Sequence, residues 1–219
     1  MPVLFAATAF FVAALGVLGD PVVARGPVGV SSRCQDPLPD PDELGERERK
    51  IRALFLRHFC KYVRWPAEVF PATDAPLVVG VVGEDVLGDA LDDAMRGFVT
   101  EDGRSVVVRR LGPYPRLEDD AALRRYQVLL VTEADPLVQG QVIRALRGSP
   151  VLLVSEAPGF VDAGGGIQTF LVRNKLRFEV NRAALDSRGL VASSKLLRLS
   201  RDAPPRPPAP SPTPRRQGR

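Results

Sequence analysis

The chain has 219 residues, a formal net charge of +4 and a single histidine, His58. Its length and 45% apolar content suit one globular domain with appendages. One histidine and two cysteines leave little for a Ser-His-Asp or Cys-His system, and no third and fourth ligand stand at zinc spacing.

The first element is an uncharged apolar run at 3–19, followed by a small residue, Ala24, at a plausible cleavage point. It is too short for a comfortable membrane span. Residues 1–24 therefore read as a signal peptide, with a retained anchor as the alternative because no Lys or Arg precedes the run. Export places the protein in the periplasm, with no membrane insertion after processing. Residues 25–46 read as a flexible, Pro-rich lead-in. They contain Cys34, which in an oxidising compartment could pair with Cys60; spacing leaves the geometry open.

The globular unit is expected over 47–200. Ile51, Leu54, Phe55, Phe59 and Tyr62 recur at helical spacing and mark the expected buried face of an opening helix. His58 falls near the centre of that stripe and reads as a hydrogen-bonded packing residue, with ligand contact or pH sensing as alternatives. Trp65-Pro66 ends the helix. Strands are predicted at 76–83, 105–111, 126–133 and 150–156, with helices at 84–97 and 135–148. Continuous apolar runs alternating with helices predict an α/β fold: a single compact domain with a mostly parallel central sheet flanked by helices. Residues 167–181 predict a C-terminal β-hairpin turning at Arg173-Asn174-Lys175, and a short helix and Ser-Ser-Lys-Leu-Leu (193–197) follow.

The last element, 201–219, is a Pro/Arg-rich tail that reads as disordered. Five arginines and one aspartate give it +4, residues 1–24 carry only Asp20, and the residues between sum to +1. The folded part is nearly neutral, so the basic balance does not point to nucleic acid.

No motif carries chemistry on its own. Gly80 and Gly83 lack the dinucleotide spacing, and Glu84 and Asp85 follow where a phosphate would sit. Gly159 and Gly164 have Walker spacing, but Gly165 stands where lysine is needed. The trio Gly164–Gly166 reads as backbone freedom for a turn into the hairpin. Asp85, Asp89 and Asp92 read as a solvated helix face. Adjacent Ser194 and Lys195 lack the helical offset of a nucleophile pair; a helix cap by Ser193 or Ser194 fits better. His58, Arg177, Glu179, Asn181, Ser194 and Lys195 make up a candidate polar cluster, structural or ligand-contacting. No cofactor is expected.

Three stretches carry a resemblance. They are ALFLRHFCKYVRWP (53–66), PLVVGVVGEDVLGDALDDAM (76–95) and the segment 150–200 with its glycine trio, Arg-Phe-Glu-Val-Asn and Ser-Ser-Lys-Leu-Leu. In order and spacing the chain resembles the YfiR family of exported bacterial proteins. His58 stands where that family more often has Asn, and Tyr126-Gln127 where many members have a Cys before the strand. A disulfide typical of some members is therefore absent.

The resemblance implies a non-catalytic periplasmic protein. Such a protein binds and represses the periplasmic sensor region of an inner-membrane signalling protein, a diguanylate cyclase, and so acts on cyclic di-GMP and biofilm formation. The alternative is a small-molecule-binding subunit of a membrane sensor such as a histidine kinase, with a cleft near the sheet's carboxyl ends. A homodimer is left open. Phe160 and Ile167 flank the glycine trio and are the expected partner-binding anchors, unless both are core.

Overall fold

A 22-residue helix, α1 (Pro41–Tyr62), begins the described chain. The structure is a computed structural model that describes residues 41–114 and 120–200. The expected signal peptide, Cys34 and the Pro/Arg-rich tail lie outside the described residues. The helix starts inside the expected lead-in, so 41–46 belong to the folded part. Pro41 suits the first helical position because its missing N–H would have no intrahelical partner there.

After α1 the chain extends through a two-residue strand, β1 (Val63–Arg64), and then β2 (Leu77–Val82), α2 (Asp89–Met95) and β3 (Val106–Gly112). Next come α3 (Asp120–Leu123), β4 (Val128–Val131), α4 (Pro136–Ala145) and β5 (Leu152–Ser155). The hairpin is β6 (Ile167–Val172) and β7 (Lys175–Val180); α5 (Arg182–Asp186), β8 (Val191–Ala192) and α6 (Ser194–Leu199) close the domain.

The main sheet has six strands in the order β3-β2-β4-β5-β6-β7. Every pair is parallel except β6 with β7. This is the expected α/β architecture. The hairpin turns through Arg173 (φ 49°) and Asn174 (φ 60°), the left-handed pair of a type I′ turn that matches strand twist. A second, two-stranded sheet pairs β1 with β8 antiparallel. It was not anticipated, because two residues carry no periodicity.

The central strands β2, β4 and β5 are almost wholly apolar because both faces are covered. Val128, Leu130, Leu152 and Val154 pack toward α1 and α2. Leu129, Val131 and Leu153 pack against Val142 and Ile143 of α4 and Leu146 at its C-terminal cap.

The helix predicted at 84–97 is shorter than expected. Asp85 Oδ1 accepts from the N–H groups of Leu87 (3.1 Å) and Gly88 (2.9 Å), a side-chain-closed turn that delays the helix to Asp89. Arg110 of β3 donates from Nε to Asp85 Oδ2 at 2.8 Å and from Nη1 to Asp92 Oδ1 at 2.9 Å. Two of the three aspartates assigned to a solvated face are thus tied to the sheet edge.

Candidate functional site

The glycine trio is a packing device. Gly164 has φ 103°, a left-handed conformation that side chains disfavour. A Cβ on Gly165 would strike the Phe160 ring and stand 2.7 Å from the Phe160 carbonyl oxygen. A Cβ on Gly166 would stand 2.9 Å from the Leu153 carbonyl oxygen. The turn is laced by backbone bonds from Gly165 N to Phe160 O (2.8 Å) and from Asn181 N to Gly166 O (2.9 Å). Arg188, buried beside it, donates from Nη2 to Gly164 O at 3.0 Å; sequence reasoning missed this clamp.

This geometry corrects the expected partner anchors. Phe160 is 1% exposed and Ile167 0%. Phe160 fills the α4-side core and Ile167 the α1-side core. Neither is available to a partner: the absent glycine side chains let the loop pull Phe160 inward, and β6 pairing fixes Ile167 opposite Val180.

The expected buried face of α1 is corrected in part. Phe59 is core and Phe55 and Tyr62 pack against the core as expected, but the other core residues of the helix are Ala53, Leu56 and Cys60. Phe59 and Phe55 meet Phe178 of β7 edge-to-face, at centroid distances of 5.2 and 5.9 Å. Ile51 and Leu54 instead face outward, Leu54 being 42% exposed. Leu171, near the end of β6 and 50% exposed, shares a groove with Ile51. Ile51, Leu171 and Leu176 line a shallow groove of about 280 Å³ between α1 and the hairpin. A second groove, about 190 Å³, continues past Leu176 between Phe55, Tyr62, Phe178 and Leu199. Together they leave an apolar seam along one side of α1.

The candidate polar cluster is divided. His58 and Arg177 border the second groove. His58 is exposed rather than packed; its Nδ1 donates to Leu54 O at 2.6 Å, which fixes the tautomer. The Lys195 ammonium lies 6.0 Å from the Tyr62 ring centre at the same end. Glu179 is opposite Gln168 in the hairpin register. Asn181 has a structural role: Oδ1 caps α5 by accepting from Ala184 N (2.9 Å), and Nδ2 donates to Val161 O (2.7 Å). The cap of α6 is Ser193, whose oxygen accepts from Leu196 N at 3.3 Å, while Ser194 is exposed in the first turn. Cys60 is a buried free thiol, and burial pushes its pKa up to about 12.

A sequence profile described as YfiR/HmsC-like matches residues 49–201. The chain belongs to that family. The match runs from the third turn of α1 through α6, so it covers the sheet, the glycine turn and most of the α1 seam. YfiR/HmsC-like proteins are regulators rather than enzymes, and membership implies a membrane signalling protein as the interaction target. Within a binding family, the exposed apolar side chains are the informative ones. Leu171, Leu176 and Leu199 were not singled out from sequence. Ile51, Phe55 and Tyr62, which line the same grooves, were read as core.

Proposed function

We propose that the chain is a non-catalytic periplasmic regulator of an inner-membrane diguanylate cyclase. It is exported, binds the cyclase's periplasmic sensor region and holds it in the inactive arrangement. Binding shifts the sensor's population toward that state, and release raises cyclic di-GMP. Family membership supports the regulatory role. The apolar seam between α1 and the β6–β7 hairpin is the observation that carries the surface. Arg47 and Glu48 both line the first groove, so its charge is mixed and the apolar side chains carry the surface.

The test is complementation of a deletion strain, with cyclic di-GMP as the readout. Ile51→Asp and Leu171→Asp should restore little repression yet keep their stability within about 0.5 kcal/mol, as exposed substitutions do. Leu137→Asp, at an exposed position of α4, should repress normally. Full repression by both seam variants removes the surface from the account. An unchanged cyclic di-GMP level on deletion removes the cyclase.

A further inference from the structure

We propose that the outer edge of β7 pairs antiparallel with β7 of a second copy of this chain, joining two six-stranded sheets into one. β7 ends the strand order, with β6 on its inner side. In an antiparallel ladder only alternate residues bond to a given neighbour. Asn181 N bonds to Gly166 O at 2.9 Å, which continues the register of Glu179, Arg177 and Lys175 on β6. The N–H and C=O groups of Leu176, Phe178 and Val180 therefore point away from β6. Among the described residues they have no hydrogen-bond partner. Such an edge is a template for another strand.

The edge is also open to one side. Leu176, Arg177 and Phe178 are consecutive and point to alternate faces, yet all three border the groove of about 190 Å³ beside α1 and α6. A groove that touches all three runs along the edge of the strand. Its other walls are mostly apolar, among them Phe55, Tyr62 and Leu199.

Charge and register select the occupant. With Phe178 opposite Phe178 of the second copy, Leu176 meets Val180, and Arg177 meets Glu179 on each side of the two-fold axis. The charged pairs fall at non-hydrogen-bonded positions, where side chains come closest. Sliding the second strand by two residues sets Arg177 opposite Arg177, or Glu179 opposite Glu179, and like charges oppose both registers. β7 is thus self-complementary, as a two-fold contact requires. The other edge of the sheet is not. β3 exposes adjacent Arg109 and Arg110 and carries no acidic residue, so a second copy there meets like charge. Because the β7 joint uses the second groove, it and a signalling partner seated there exclude one another. Its test is run on purified protein, apart from any such partner.

The experiment is sedimentation equilibrium over a range of protein concentrations. Wild type should follow a monomer–dimer equilibrium. Arg177→Glu leaves only acidic side chains at 177 and 179, and Glu179→Arg only basic ones. Each variant alone should self-associate about tenfold more weakly or worse. An equimolar mixture of the two should recover the dimer, because every charged pair across the joint is then opposite in sign. Hydrogen exchange on wild type supplies a readout that needs no variant to fold. The amides of Leu176, Phe178 and Val180 should slow as concentration rises, while that of Glu179, already bonded to β6, should not change. A monomer at every concentration overturns the proposal. So does a dimer indifferent to both substitutions, a mixture that stays monomeric, or exchange at those three amides that ignores concentration.

Discussion

Gly165 lies so close to the Phe160 ring that a single methyl group has no room between them. Gly165→Ala must displace either a buried ring or the Phe160 carbonyl, whose oxygen also accepts from Gly165 N. Overpacking of this kind costs about 2–3 kcal/mol. Urea unfolding of the variant should show that loss, and a change below about 0.5 kcal/mol would mean that the turn is not tightly packed.

Ile167→Asp places a carboxylate in the α1-side core with no partner designed for it. It should cost more than about 4 kcal/mol or prevent folding, the usual outcome for an unpaired buried charge. Thermal unfolding followed by circular dichroism checks this. A soluble variant of wild-type stability would return Ile167 to the surface.

Cys60 should behave as an inert thiol. With a pKa near 12 and almost no exposure, it has little thiolate at pH 8. Iodoacetamide should leave Cys60 unmodified in the native protein and alkylate it in guanidinium chloride, as peptide mass mapping would show. Rapid native labelling would place Cys60 at the surface.

Asp85 should contribute to acid sensitivity. Burial works against its ionised form, but the Arg110 guanidinium and the N–H groups of Gly88 and Leu87 outweigh that and hold its carboxyl below the ordinary range. A depressed carboxylate contributes stability above its unfolded pKa of about 3.9, and loses it as pH falls through the folded value. Asp85→Asn should therefore be less stable than wild type at pH 7, with the gap narrowing as pH falls below about 4. Urea unfolding at both pH values tests the sign; a gap that widens in acid would contradict it.

The architecture was legible because its signals were local and unambiguous. Buried strands gave continuous apolar runs, Arg173-Asn174 marked the hairpin turn, and the serines at 193–194 marked a cap. The α1 surface was not legible, because that helix carries two apolar stripes. Leu54 and Leu56 sit about 200° apart around the axis, and periodicity cannot say which faces the sheet. Ala53 and Cys60 tipped the core to the less hydrophobic-looking side. The Arg52–Glu156 contact joins α1 to the loop after β5, and no sequence spacing encodes such a meeting. Phe160 was misplaced for a related reason: a loop phenylalanine beside three glycines looks exposed until the glycines are seen as the room it occupies.

The claim that the α1 seam is the regulatory surface is tested most directly by site-specific photocrosslinking in living cells. A benzophenone side chain is placed at position 51, 171 or 137 in turn. Positions 51 and 171 should yield a crosslink to one inner-membrane protein, identified by mass spectrometry as carrying a periplasmic sensor and a diguanylate cyclase module, and position 137 should not. Crosslinking to that protein from 137 but not from 51 or 171 would contradict the account.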